Sequence, residues 1–340
     1  MRRRGRIGLA RGLALCGLLV LLATVVGAFA LDRGWFDLPL DELARRYQLP
    51  DSRFADVDGV KVHYVDRGEG PVIVLLHASF LSLRSWDAFA AALEDGHRVV
   101  RMDLSGAGLT GPDPTLRYGI DRNIELVRGL LAQLGIRGPV TLVGTSSGGM
   151  AAFRLAARYP DEVSRLVLIN AAGMPRTAAT NPLRAPPSRL AGWIAERYRS
   201  RRFWAESLTD NFTPPHEPGA ALIDMTYDMN RRAGGREINR LYLANFSTGD
   251  PEAMLAGVRA PTLVLWGLDN RTLMHLEADV FARWLTGAPV LVRKYPGLGH
   301  YPYLEDPATV ATDVRAFVAG ELDTGLIRPC RGLGPEGEPQ

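Results

Sequence analysis

The residues Val140-Thr141-Leu142-Val143-Gly144-Thr145-Ser146-Ser147-Gly148-Gly149 set a serine in the spacing Gly-x-Ser-x-Gly, directly after an apolar run and directly before an alanine-rich stretch. The string alone is weak, since chance produces it in about 0.1–0.2 of chains this size. Its setting carries the information. A tight strand-to-helix turn exposes the central side chain, and flanking glycines let the helix and neighbouring strands close in. Ser146 then lies at a helix N-terminus, where unpaired N–H groups and the helix dipole favour a developing oxyanion. That is a position for a nucleophile in acyl transfer. The competing reading is a Gly/Ser-rich phosphate-binding turn, but the lysine of a P-loop is missing.

A serine nucleophile needs a base and a place for the oxyanion. His300 follows Gly297-Leu298-Gly299 and precedes Glu305-Asp306-Pro307. Upstream stand Leu75-Leu76-His77-Ala78-Ser79-Phe80, then Asp103-Leu104-Ser105-Gly106-Ala107-Gly108, and later Pro261-Thr262-Leu263-Val264-Leu265-Trp266-Gly267. In this order, over residues 52–320, the motifs resemble the serine α/β-hydrolase family. The hydrophobic N-terminus followed by Arg53-Phe54-Ala55-Asp56-Val57-Asp58-Gly59 is similar to an exported, membrane-anchored branch of it. The resemblance implies that Ser146 is the nucleophile and His300 the general base, with the backbone N–H groups of Ser79 and Ser147 as oxyanion hole. It implies a structural His77 and no cofactor. His63, His97, His216 and His275 have no partner motif and read as surface or packing residues. Ala78 replaces a usual glycine, and its methyl is expected to restrict the loop, because glycine alone visits positive φ freely.

The acid of the triad is the awkward member. The family places it three residues after the glycine that ends the seventh strand, and here that residue is Asn270, with Asp269 one position earlier. The other family location, the end of the sixth strand, holds Asn170, and no Asp or Glu occurs between Glu162 and Glu196. Three arrangements remain open. Asp269 supplies the carboxylate through a shifted loop; an acid from elsewhere, or a Ser–His dyad supported by Asn270, replaces it; or the protein is feeble or non-catalytic. Replacement of the acid by Asn lowers kcat by about 10⁴ in the serine-protease template without abolishing catalysis.

Those side chains need a scaffold. Strand-like runs at Val60–Val65, Val72–Leu76, Arg98–Met102, Val140–Val143, Leu166–Ile169, Thr262–Trp266 and Val290–Arg293 alternate with helical patterns at Asp121–Leu134, Gly149–Arg158, Glu277–Trp284 and Ala308–Val318. Continuous β-branched runs suit strands buried on both faces of a parallel sheet, so the expected fold is an α/β-hydrolase sandwich with a mostly parallel eight-stranded sheet. Residues 171–259 lack a convincing buried strand and read as a helical cap inserted after strand six. Its Trp193, Trp204, Phe212, Met225, Tyr227 and Met229 line an apolar substrate pocket or form ordinary core. Arg201, Arg202, Arg231 and Arg232 recognise an anion or form a solvated basic face. The expected segments are 1–11, a basic tail; 12–31, a transmembrane anchor or signal segment; 32–51, a juxtamembrane linker; 52–170 with 260–322, the core; 171–259, the cap; and 323–340, a loose tail.

Charge has an address. Of 40 Lys+Arg against 37 Asp+Glu, Arg2, Arg3, Arg4, Arg6 and Arg11 lie before an uncharged Gly12–Leu31, leaving 35 basic against 37 acidic residues beyond it. A slightly acidic body excludes nucleic acid as the expected partner. Twenty apolar residues cross a bilayer core of roughly 30 Å, and the arginines keep the N-terminus cytoplasmic. The expectation is a single-pass protein of the cytoplasmic membrane with its catalytic part outside; the alternative is release after cleavage behind Ala28-Phe29-Ala30. Cys16 and Cys330 form no metal-type cluster, and no obligate protein partner is implied. The expected substrate is a small-molecule carboxylic ester or related acyl compound; carbon–carbon bond hydrolysis or ligand binding without turnover are the alternatives. Ser146 argues against the family's haloalkane dehalogenases and epoxide hydrolases, which use an aspartate nucleophile.

Overall fold

A computed structural model of the chain describes residues 2–175 and 188–321. The proposed tail from 323 and the cap residues 176–187, with Pro182, Pro186 and Pro187, lie outside the described residues.

Eight strands form one sheet: β1 (Arg53–Val57), β2 (Val60–Arg67), β3 (Val72–Leu76), β4 (Arg98–Met102), β5 (Val140–Ser146), β6 (Val163–Ala171), β7 (Thr262–Gly267) and β8 (Val290–Tyr295), in spatial order β1-β2-β4-β3-β5-β6-β7-β8. From β4 to β8 every pairing is parallel; β1 with β2 and β2 with β4 are antiparallel. The expected eight-stranded, mostly parallel sheet is present. The added edge strand β1 exposes Arg53 and Asp56, one on each face, which is why it makes no apolar run in the sequence.

Among the described residues the helices are α1 (Arg2–Asp32), α2 (Leu40–Tyr47), α3 (Asp87–Ala91), α4 (Ile120–Gln133), α5 (Ser147–Arg158), α6 (Arg189–Arg197), α7 (Arg201–Thr209), α8 (Ala220–Met229), α9 (Gly235–Ala244), α10 (Pro251–Ala256), α11 (Leu276–Trp284), α12 (Pro302–Glu305) and α13 (Pro307–Ala319). One sheet face buries Leu76, Leu142 and Leu168 under Ile124, Met150 and Phe281 of α4, α5 and α11. The other buries Ile73, Val143 and Leu265 under Phe89, Val310 and Phe317 of α3 and α13. Alternate residues of β5 therefore enter different cores, as the two-residue period of a strand requires. The stretch between β6 and β7 carries α6 to α10.

Helix α1 is long and apolar enough to cross a membrane, with Leu15, Leu18, Val20, Leu22 and Val25 exposed along it. Its C-terminal end is tied to the helices that follow β6. Arg236 of α9 donates to the carbonyls of Leu31 (2.9 Å) and Asp32 (3.2 Å) and pairs with Asp37 at 3.3 Å. Arg197 of α6 pairs with Asp32 at 3.2 Å. Leu43 of α2 then packs with Leu109, Met225 and Met229 in a small separate core.

Candidate active site

Ser146 ends β5 and caps α5 with φ 50° and ψ −121°. A non-glycine residue holds such angles only where its surroundings over-determine them. The glycines explain how. A Cβ on Gly144 would strike the backbone of Gly148, and one on Gly148 would strike the carbonyls of Leu76 and His77 at the end of β3. Gly149 lies so close to Ala171 of β6 that a Cβ there would come within 2.6 Å of the alanine methyl. The Gly-x-Ser-x-Gly spacing thus lets α5 press onto β3 and β6, and the serine is lifted out at the turn.

His300 lies in the loop after β8 and is buried. Its Nδ1 faces Oδ1 of Asn270 at 3.2 Å. That same Oδ1 accepts the backbone N–H groups of Thr272 and Leu273, both at 3.0 Å, so it is the amide oxygen and His300 Nδ1 is the donor. The tautomer is fixed: Nε2 carries no proton and can accept one. Burial holds the imidazole pKa down, to about 4.

Asp269, the expected acid, does not meet the ring in this geometry. The Asp269 carboxylate accepts the Gly297 N–H at 2.8 Å, bracing the turn before His300, while Asn270 meets the ring. Asn270 N–H bonds to Gly267 O and Asp269 N–H to Leu298 O, and this tight turn after β7 sends successive side chains in different directions. Asn270 Nδ2 is buried with no hydrogen-bond partner among the described residues.

Two residues that the sequence reading gave no role hold the His300 loop. Asn170, at the end of β6 with φ 42°, donates through Nδ2 to Gly299 O and His300 O, both at 2.9 Å, and accepts Gly267 N–H at 3.1 Å. A carboxylate here would face two carbonyl oxygens, so the sixth-strand location is unsuited to an acid. Glu305 accepts Gly299 N–H at 2.9 Å and Thr213 N–H at 2.8 Å; burial raises its pKa. Just beyond α7, the backbone carbonyl of Asn211 accepts His300 N–H at 2.8 Å. Asn170 and Glu305 are discernible afterwards as polar residues at a strand end and five residues beyond His300.

Opposite this loop, Ser79 follows β3 and its hydroxyl donates to that of Ser147 at 2.9 Å, which brings together the two residues named for the oxyanion hole. Ser147 is the first residue of α5, and its N–H has no acceptor within the helix. The anticipated strain at Ala78 does not arise, because the left-handed residue is Phe80, with φ 66°. His77 bridges Ala78 O through Nδ1 (2.8 Å) and Leu104 N–H through Nε2 (3.0 Å), a backbone-bracing arrangement.

The model of the alpha/beta hydrolase fold family matches residues 71–307. The chain belongs to this family. Among curated proteins it is 27% identical to a cis-3-alkyl-4-alkyloxetan-2-one decarboxylase of Shewanella oneidensis, over 78% of this chain and 87% of that protein. It is 28% identical to a bifunctional esterase/perhydrolase of Acinetobacter calcoaceticus (77% and 97%). It is 30% identical to a 2-hydroxy-6-oxo-6-(2'-aminophenyl)hexa-2,4-dienoic acid hydrolase of Metapseudomonas resinovorans (80% and 92%). Among solved structures, a membrane phospholipase A described as a bacterial virulence factor superposes with TM-score 0.66 at 25% identity, covering 90% of this chain and 98% of that one.

Within this hydrolase fold, the aromatic and methionine side chains of the insertion after β6 are packed against neighbours. Trp204 packs on Phe80 (centroids 5.4 Å apart), Phe212 on Tyr301 (6.0 Å), and Met225 and Met229 fill the core with Leu43. Trp193 lies under the Arg197 guanidinium, and the Tyr227 hydroxyl meets that of Tyr198 at 2.9 Å. Arg202 pairs with Glu206 on the surface, Arg201 with Asp224, and Arg231 with Asp228. Arg232 departs from the anion-binding or solvated-face expectation. It is buried and donates to Thr110 O at 2.9 Å, and more distantly to Ala107 O and Gly108 O, locking the insertion onto the glycine-rich turn after β4. His63, expected to be a surface or packing residue, is buried with Nδ1 at 2.6 Å from Asp103 and Nε2 at 2.7 Å from the Ser52 hydroxyl. Asp103 also accepts Leu83 and Leu109 N–H, each at 2.7 Å, so the group braces three loops.

Proposed function

We propose that the protein is a cofactor-free serine hydrolase acting on a carboxylic ester or related acyl substrate through an acyl-enzyme. Ser146 attacks the carbonyl carbon while His300 Nε2 takes its proton; the collapsing tetrahedral intermediate expels the alcohol, which receives that proton from His300. Water activated by the same nitrogen then hydrolyses the Ser146 ester. The N–H groups of Ser79 and Ser147 hold the oxyanion. The single observation that carries this reading is an imidazole whose Nδ1–H is committed to Asn270, leaving Nε2 free to accept a proton, in a chain that presents an elbow serine at φ 50°. A fluorophosphonate probe tests it. Covalent labelling at Ser146, and ester turnover lost in Ser146→Ala by at least about 10³-fold with an unchanged melting temperature, are expected.

Asn270 favours one other reading, a ligand-binding protein on a hydrolase fold, since an amide cannot stabilise an imidazolium by charge. It predicts binding without turnover and indifference to Ser146→Ala. The esterase and phospholipase relatives support ester substrates, and the dienoic acid hydrolase relative keeps carbon–carbon bond cleavage as the second substrate class.

The same proposal places α1 as an uncleaved anchor in the cytoplasmic membrane, with the hydrolase outside. The packing that favours retention over cleavage after Ala30 is that Ala30 is buried and the next two carbonyls are bound by Arg236. The mass of the membrane-extracted protein decides: the full chain is expected, and a product beginning at Leu31 would overturn the anchor.

A further inference from the structure

His300 and Asn270 stand on loops after different strands, β8 and β7, and one residue of the insertion binds both loops. Asn211 follows α7. Its backbone carbonyl accepts His300 N–H at 2.8 Å, and its side-chain Oδ1 accepts the Thr272 hydroxyl. Thr272 N–H in turn donates at 3.0 Å to Asn270 Oδ1, the oxygen that receives His300 Nδ1 at 3.2 Å. A closed ring of hydrogen bonds thus runs from the His300 backbone through Asn211, Thr272 and Asn270 to the imidazole. Asn211 Nδ2 donates to Ser207 O at 2.7 Å, which orients the amide and leaves Oδ1 for the threonine.

The surroundings leave Asn211 little freedom. A Cβ on Gly299 would come within 2.6 Å of Asn211 O, so the residue before His300 has to be glycine for that carbonyl to reach the next N–H. The turn is tightly wound, with Asn211 N–H on Leu208 O at 2.9 Å and Phe212 N–H on Thr209 O at 3.1 Å. Leu208 and Phe212 are buried in the same core as Tyr301, the neighbour of His300, and Thr213 N–H is held by Glu305. A residue so fixed can impose a position on its partners. The same helix carries Trp204, which packs on Phe80 beside Ser79, so α7 touches the loops on both sides of the site.

A carboxylate holds an imidazolium largely by charge, an attraction that falls off slowly with distance and direction. An amide holds it by a hydrogen bond alone, which weakens steeply once bent or stretched. With Asn270 as the partner, the ring has no charge to recentre it, and its placement has to come from the scaffold. We infer, resting on the acyl-transfer reading above, that Asn211 is a positioning residue for His300: by tying the His300 backbone to the Asn270 turn through Thr272, it does by geometry part of what a carboxylate would do by charge. The insertion is then part of the catalytic machinery through its grip on the base. Asn211→Ala removes two neutral hydrogen bonds, to Thr272 and to Ser207, so kcat should fall by about tenfold to thirtyfold.

The test uses the full-length protein with Asn211→Ala, Thr272→Val and the double variant, each also in an Asn270→Asp background, on a p-nitrophenyl ester. Asn211→Ala should show the stated fall in kcat with KM within about twofold. Thr272→Val keeps the side-chain shape and removes only the hydroxyl; it should lower kcat by about threefold to tenfold, and it carries the test should Asn211→Ala fail to fold. The double variant should be no worse than Asn211→Ala, since both changes break one ring of hydrogen bonds. In the Asn270→Asp background, where charge holds the imidazolium, each loss should shrink by about threefold or more. Losses of equal size in both backgrounds would mark a merely structural contact and overturn the inference. A fall confined to KM, or multiplicative losses in the double variant, would do the same. So would turnover that depends on Ser146 but ignores both variants, with the acyl-transfer reading left standing. Wild-type protein without Ser146-dependent turnover overturns both.

Discussion

On the acyl-transfer reading proposed above, Asn270→Asp should strengthen hydrolysis. The amide oxygen already accepts two backbone N–H groups and the imidazole N–H, and the amide nitrogen is buried without an acceptor. Exchanging that nitrogen for oxygen removes two stranded donor hydrogens and places a carboxylate beside the ring. At a charge separation of about 4 Å and an effective dielectric near 20, carboxylate and imidazolium attract by about 4 kcal/mol. That is enough to lift the His300 pKa from about 4 to near neutrality. The same attraction acts on the imidazolium formed during attack, so kcat should rise by about 10³-fold.

The assay is p-nitrophenyl ester hydrolysis from pH 4 to pH 9 by the wild type, Asn270→Asp and Asp269→Asn. Activity requires neutral imidazole, so the wild-type acid limb should fall only near pH 4, and that of Asn270→Asp about three pH units higher. Asp269→Asn should keep both kcat and the limb to within about threefold, because Asp269 braces Gly297 and not the ring. A kcat for Asn270→Asp within threefold of wild type, with the limb unmoved, would refute the assignment of Asn270 to the His300 partner position. Collapse of Asp269→Asn would return the acid to Asp269.

Asn170→Asp, which sets a carboxylate against Gly299 O and His300 O, should cost about 3 kcal/mol in urea denaturation and lower kcat; an unchanged midpoint would show that these bonds do not hold the loop. Asp103→Asn should cost about 3 kcal/mol at pH 7, since it leaves His63 and two backbone N–H groups facing an amide. Burial alone would raise the Asp103 pKa, but His63 and the N–H donors outweigh it and hold it below the ordinary value of 3.8. A carboxylate depressed on folding stabilises fully above its unfolded pKa and loses that contribution as pH falls through the folded one. The gap between wild type and Asp103→Asn should therefore narrow below about pH 3.8, measured by urea midpoints at pH 3 and pH 7, and a constant gap would refute the linkage.

The sheet was legible because its central strands are buried on both faces, and runs such as Leu263-Val264-Leu265-Trp266 admit few other readings. The edge strand β1 was not, since Arg53 and Asp56 face solvent and break the pattern. Ser146 and His300 were legible because glycines at fixed spacing mark the backbone approaches they need. The choice between Asp269 and Asn270 was hidden, because it depends on which way a side chain leaves a tight turn, and neighbouring residues differ there by their φ and ψ alone. Arg232 was misread for a related reason. Its partners are three backbone carbonyls of a distant turn, and carbonyls carry no sequence signature.

The cradle around Asn270 bears on how such a chain can change over generations. Two backbone N–H groups already point at the side-chain oxygen, and these are the donors that a carboxylate would require. Asparagine and aspartate codons differ by one purine transition, and the side chains have the same shape. On the acyl-transfer reading, a lineage can thus cross between a subdued and a vigorous hydrolase in either direction at a single position. Position 170 offers no such passage, because its amide must donate twice. On that reading, catalytic strength sits on a reversible dial, set at one residue.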